Sequence, residues 1–180
     1  MIVIDTGLAQ LTDQFSICDK KLVDDFSLKI EISDSYFEPL LEKANVVYGR
    51  YPDPKKLFSE KKTAKQNIKL EPGGRVITCS RHKYKIPLGY FGLVQTKGTL
   101  ARMFVQATCN DGQVEPGFNG YITLEIVNFS PWTVEIPVGS EVAQLFLLRC
   151  SSPAPQAYHG RYSDLALEGP TIPIFQERLS

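Results

Sequence analysis

The sequence predicts a mainly β fold, a sandwich or barrel within a single domain covering residues 1–180. Three observations carry that expectation. After Gly74 the chain becomes a series of short apolar runs punctuated by Gly and Pro. These runs are rich in Val, Ile, Phe, Tyr and Thr, which pack well on a pleated surface, and no amphipathic stretch of the kind a parallel α/β crossover needs lies between them. The 180 residues are 43% hydrophobic, enough to build a core without staples.

Along the chain, Phe26 to Ile32 alternates Phe26, Leu28, Ile30 and Ile32 with Ser27, Lys29 and Glu31, the pattern of a half-buried strand. Ser35 to Ala44 places Phe37, Leu40, Leu41 and Ala44 at helical spacing and predicts a helix, with Pro39 inside it. Residues 52–69 are rich in lysine, with Lys55, Lys56, Lys61, Lys62 and Lys65 around Phe58 and turn formers on both flanks. That composition predicts a solvated loop or short hairpin insertion in preference to a polyphosphate or nucleic-acid patch. Strands are predicted over Arg75–Ser80, Tyr90–Gln95, Thr99–Thr108, Gly120–Asn128, Thr133–Ile136 and Glu141–Arg149. The turns between them include Pro87-Leu88-Gly89, Asn110-Asp111-Gly112, Pro116-Gly117 and Pro137-Val138-Gly139.

In the strand Tyr121 to Asn128, Ile122, Leu124 and Ile126 share one face, which is core. Tyr121, Thr123, Glu125 and Val127 share the other. That face mixes apolar and polar groups around a carboxylate, as a ligand pocket or subunit interface does; taken alone, Glu125 also fits a solvated strand residue.

Several function classes are disfavoured. With 20 Lys+Arg against 20 Asp+Glu the formal net charge is zero, which argues against a whole-chain binder of nucleic acid or anionic membrane. The longest strongly apolar stretch, around Val142 to Leu148, contains Gln144 and falls far short of the ~20 residues that span a bilayer. Asp5 interrupts the first apolar run and no basic segment precedes it, so no export signal is expected and the chain is expected to be cytoplasmic. Cys18, Cys79, Cys109 and Cys150 are scattered, without the paired spacing of a zinc site, and read as reduced thiols. Only two histidines exist, and His82, in the polar run Ser80-Arg81-His82-Lys83, reads as an exposed loop residue. No G-x-S-x-G, Walker loop, dinucleotide glycine motif or zinc-deaminase pattern occurs.

Three segments nevertheless form an ordered set within about thirty residues: Lys97–Arg102 (KGTLAR), Val114–Gly120 (VEPGFNG) and Tyr121–Asn128 (YITLEIVN). Leu70–Gly73 (LEPG) precedes them, and Gly139–Leu145 (GSEVAQL) and Gly169-Pro170-Thr171 follow. This arrangement resembles the deoxycytidine triphosphate deaminase family of the deaminase/dUTPase superfamily, whose pattern runs R-S-S-L-A-R, I-D-P-G-[FW]-x-G, [TV]-L-E-[LF]-x-N, G-x-x-[IV]-A-Q-L and a Q-G-P-T-like tail. The resemblance covers most of residues 70–171, and weakly Asp25–Ile30.

The resemblance implies a distorted β-barrel, or jelly-roll-like, dUTPase-type fold assembled as a homotrimer, with nucleotide sites between subunits and Mg²⁺ accompanying the triphosphate. It implies a deoxyribonucleotide substrate and a hydrolase that converts dCTP and water to dUTP and ammonia without zinc. Glu125 then matches the general base and Arg102 the arginine that closes the first motif. The nucleotide-binding set carried over by position is Lys97, Gly98, Thr99, Leu100, Ala101, Arg102, Glu115, Thr123, Leu124, Glu125, Arg161 and Tyr162. A carboxylate in the general-base role works best with its pKa raised towards neutrality by partial burial.

The sequence departs from the family pattern at three of these positions. Lys97 replaces an arginine, and Glu115 replaces an aspartate that, by resemblance, meets the deoxyribose 3′-hydroxyl and in dUTPases activates water. Gly98 replaces the first motif serine, whose hydroxyl helps hold the attacking water. Losing one such group commonly costs about 10²–10³ in rate. Thr99 or an ordered water then compensates, or the reaction differs. The alternatives are a dUTP diphosphatase using Glu115 and a nucleotide-binding trimer without catalysis.

Overall fold

Side-chain alternation builds most of the molecule as sheet. The computed structural model describes residues 1–40, 45–48, 53–108 and 111–175. Their strands are β1 (Ile2–Val3), β2 (Leu28–Phe37), β3 (Lys62–Thr63), β4 (Asn67–Leu70), β5 (Arg75–Lys85), β6 (Tyr90–Thr96), β7 (Val105–Gln106), β8 (Gln113–Val114), β9 (Asn119–Asn128), β10 (Val134–Pro137) and β11 (Glu141–Arg149). The α-helices are α1 (Asp5–Phe15) and α2 (Gly98–Arg102).

A nine-stranded sheet has the path β7-β9-β5-β2-β11-β6-β8, with β1 added to β11 and β3 to β2; β10 and β4 form a second, two-stranded sheet. All the pairings are antiparallel. The path curls on itself. β7 lies at one edge and β6–β8 at the other, yet Ala107, just past β7, donates its N–H to Thr96 Oγ1 at the end of β6 at 2.9 Å. The Val94 N–H reaches the Gly112 carbonyl at 2.7 Å. The result is mainly β, as expected, with the sheet curled into a half-barrel.

Inside the curl, Ile30 and Ile32 of β2, Leu124 and Ile126 of β9, and Leu145 and Leu147 of β11 are fully buried. Each such side chain contributes roughly 1.5–3 kcal/mol of burial. Asn128, also buried, closes the end of β9: its Nδ2 donates to the carbonyls of Leu70, Glu71 and Trp132, and its Oδ1 accepts from Ser130. Such satisfaction is what makes a buried amide affordable in a core.

Three expectations need correction, and one element was missed. Ser35–Phe37 are the end of β2, paired with β5 (Tyr36 to Thr78, Phe37 to Ile77), so the predicted helix is not formed there; Leu41–Ala44 lie outside the described residues. Pro39 removes an N–H and disfavours helix at Glu38, and Pro39 instead bridges to Phe58. Thr99–Thr108 is not one strand: Gly98–Arg102 coil into α2, and only Val105–Gln106 pair in the sheet. Leu, Ala and Arg are good helix formers, and the single β-branched Thr99 does not outweigh them. His82 lies in β5, half-buried, with Nε2 3.0 Å from Glu31 Oε2, not in an exposed loop. The N-terminal α1, which buries Leu8, Leu11 and Thr12, had no counterpart in the sequence reading.

The lysine-rich stretch is solvated as expected. Lys55, Lys56, Lys61, Lys62 and Lys65 are all exposed. Its strands dock separately, β3 on β2 and β4 on β10. Of the cysteines, Cys18 and Cys79 have thiols pushed up to about 12, chiefly by burial; Cys109 and Asn110 lie outside the described residues. No helix of the described residues is long and apolar enough to cross a membrane.

Candidate active site

The two-residue period of β9 sets up the site. Ile122, Leu124 and Ile126 point into the core, and Tyr121, Thr123, Glu125 and Val127 are only partly covered. The partly covered face floors a pocket of about 260 Å³, walled by the 111–115 segment and by the C-terminal segment. Glu115 reaches this pocket from a tight turn. There the Phe118 N–H returns to the Glu115 carbonyl at 3.1 Å and the Gly117 N–H to Ile86 at 2.9 Å. Gly117 has φ +84°, and a Cβ there would lie 2.4 Å from Ala157 Cα. Only glycine fits that approach.

Glu125 is the unusual group. Its Oε2 is buried and has no hydrogen-bonding partner among the described residues. Burial first, and the Asp111 carboxylate second, push its pKa up to about 7, while nearby backbone N–H groups of Glu125 and Asp111 pull weakly the other way. A buried, unpaired carboxyl oxygen is costly unless a ligand or water completes it. A carboxyl group poised near neutrality can take a proton and return it at ordinary pH.

The C-terminal segment is fastened over this face. Thr171 Oγ1 is 3.3 Å from Thr123 Oγ1. Arg161 donates to the Ile174 carbonyl at 2.7 Å, and the Ile174 N–H donates to the Tyr162 hydroxyl at 3.2 Å. Tyr162 and Tyr158 both line the pocket, and burial, with Glu115 as the next influence, raises the Tyr158 pKa.

Of the residues singled out in the sequence, Glu115, Thr123, Glu125 and Tyr162 meet in this pocket. Arg161 is at the segment's outer side, holding Ile174. Leu124 buries its side chain in the core, so only its main chain is available, in register with Thr78 of β5. Lys97, Gly98, Thr99, Leu100, Ala101 and Arg102 do not line the pocket. Lys97 donates to Glu141 Oε2 at 2.9 Å, and Lys29 pairs with the other oxygen of that carboxylate at 3.1 Å. The Lys97 and Lys29 hydrogen bonds hold the Glu141 carboxyl below its usual range. Arg102 folds back so that Nη1 donates to the Gly98 carbonyl at 3.1 Å.

Asp111, Tyr158 and Thr171 line the pocket although the sequence reading gave them no role there. Asp111 and Thr171 stood in quoted turn and tail motifs, but nothing local says that those segments close on β9. Tyr158 carried no signal.

The chain is similar to known proteins in both sequence and fold. A dCTP deaminase, dUMP-forming, of Corynebacterium glutamicum (strain R) is 35% identical over 89 residues, 49% of this chain and 47% of the relative. Another so described, from Methanopyrus kandleri, is 40% identical over 90 residues, again 49% and 47%. The matched stretch thus spans about half the length of these curated relatives. Among solved structures, 2′-deoxycytidine 5′-triphosphate deaminase from Agrobacterium tumefaciens shares the fold, with a TM-score of 0.73 at 14% identity over 85% of this chain and 49% of that one. Residues 10–150 match the family model described as dCTP deaminase-like, and with its linked motifs laid along β9 and its neighbours, the chain belongs to the dCTP deaminase-like family.

Proposed function

We propose that this chain is a hydrolase that deaminates a deoxycytidine nucleotide, dCTP and water giving dUTP and ammonia, with Glu125 as general base. The observation that carries the reading is the buried, unpartnered Glu125 Oε2 in a pocket bounded by β9 and the C-terminal segment. Ionised Glu125 takes a proton from water as its oxygen bonds to C4 of cytosine. The proton passes to the ring nitrogen. A second transfer, from the new hydroxyl to the exocyclic nitrogen, lets the C4–N4 bond break and ammonia leave as the C4 carbonyl forms. Relatives named as dCTP deaminases support the substrate class.

In this reading the Lys97–Arg102 segment reaches the pocket from a second copy, in a homotrimer. Just past α2, Met103 and Phe104 are exposed, with the exposed Phe129 beside Phe104; exposed apolar groups of this kind can mark an association surface. Arg102 would leave Gly98 and donate to the base or its water; Lys97 would meet phosphate as a point charge. Mg²⁺ would arrive on the triphosphate. No three His, Cys, Asp or Glu among the described residues are placed to hold a metal ion; the proposed step uses water, Glu125 and the pyrimidine, without zinc. A cytoplasmic location fits a nucleotide substrate.

A second reading has two specific supports: the relatives are named as dUMP-forming, and Glu115 shares the pocket with Glu125. Glu115 would then direct water at the phosphate chain after deamination. The test is incubation of the chain with dCTP and with dUTP in the presence of Mg²⁺, with ammonia measured and products separated by ion exchange. Ammonia and dUTP are expected from dCTP. Ammonia with dUMP and pyrophosphate supports the second reading; nucleotide binding without any product overturns both.

A further inference from the structure

Asp111 is the pocket's third carboxylate, beside Glu115 and Glu125. It is held by the frame. Its Oδ1 accepts the Gln113 N–H at 3.2 Å, an Asx turn that fixes one oxygen. The next residue is pinned to β6: Val94 donates to the Gly112 carbonyl at 2.7 Å, and a Cβ at Gly112 would lie 2.7 Å from Val94 O. Among the described residues Oδ2 accepts no hydrogen bond, which leaves it for a ligand. The influence of Asp111 on Glu125 agrees with the two carboxylates being neighbours.

An ionised carboxylate only accepts hydrogen bonds. At C4 a cytosine presents an amino donor, whereas uracil and thymine present a carbonyl acceptor. If Glu125 activates water for attack at C4, a neighbouring carboxylate faces that edge of the ring. We propose that Asp111 selects the C4 amino group of the pyrimidine, accepting its N–H at Oδ2 and excluding the C4 carbonyl of uracil and thymine nucleotides. This inference rests on the deamination reading. It makes the product, whose new carbonyl confronts Asp111, bind more weakly than the substrate. A site built to pair one polar group discriminates strongly against an analogue that cannot pair it.

The experiment compares dCTP and dUTP binding by calorimetry in the full chain carrying Glu125→Gln, which prevents turnover, with and without Asp111→Asn. Asparagine keeps the Oδ1 acceptor for Gln113 and puts an Nδ2–H donor where Oδ2 accepted. At least 30-fold preference for dCTP is expected with Asp111, lost or reversed in favour of dUTP with Asp111→Asn. An unchanged preference, with both nucleotides bound, overturns the Asp111 assignment alone. Failure to bind either nucleotide overturns the deamination reading with it. Should Asp111→Asn not fold, the wild-type chain decides: a KM for dCTP within threefold of the inhibition constant of dUTP overturns the assignment, and a dUTP constant at least 30-fold weaker upholds it.

Discussion

The hydroxyl oxygens of Thr123 and Thr171 stand 3.3 Å apart, joining the C-terminal segment to the face of β9 that carries Glu125. A single neutral hydrogen bond contributes about 0.5–1.5 kcal/mol, so Thr171→Val is expected to loosen that wall without unfolding the barrel. We expect KM for dCTP to rise about three- to tenfold, the kinetic equivalent of that energy, with kcat changed less than twofold. Steady-state kinetics and a melting curve check both halves.

The raised pKa of Glu125 has a fixed sign in both activity and stability. A general base must be ionised, so kcat/KM is expected to increase from pH 5 to 8 with a midpoint near the value of about 7. A carboxyl group whose pKa is higher folded than unfolded favours the folded state when protonated; that contribution is complete below the unfolded pKa and is lost as pH rises through about 7. Glu125→Gln removes the ionisation, and at pH 8 it is expected to stabilise the fold by about 1–3 kcal/mol, with the gain gone at pH 4. Denaturant midpoints at the two pH values measure it.

Gly98 leaves room for the Arg102 guanidinium: a Cβ there would lie 2.9 Å from Arg102 Nη1. A long side-chain end moves cheaply, so Gly98→Ser restores a hydroxyl and swings Arg102 off its own helix. The expected outcome is a kcat increase of about 10- to 100-fold with KM within threefold, and no such gain for Gly98→Ala. Parallel kinetics of the two variants separate the hydroxyl from the steric effect.

Gly117 combines positive φ with backbone contact at 2.4 Å, so Gly117→Ala is expected to destabilise the chain by about 2–4 kcal/mol. The turn carrying Glu115 would shift with it. Thermal melting with a nucleotide-binding titration reads both effects.

The alternation along β9 was legible in the sequence because it depends only on a two-residue period, and the buried and half-covered faces fall as read. The linked motifs likewise pointed to the family that the residues 10–150 match identifies. Local pattern failed where length or partners decide. Five residues of α2 are too few to establish a helical period, so Leu100 and Val105 read as one strand. At Phe37 the helical spacing was outweighed by pairing with Ile77 across β2 and β5. The part played by Asp111 depends on a turn held against β6 at Val94, a contact between segments that no local spacing encodes.

The most direct test of Glu125 as the base is ammonia released from dCTP by the wild-type chain and by Glu125→Gln at matched nucleotide saturation, with dCTP affinity measured on both. Steady release by the wild type is expected, with a loss of at least 10³-fold in Glu125→Gln and dCTP affinity within tenfold. Release by Glu125→Gln within tenfold of wild type would contradict that role for Glu125.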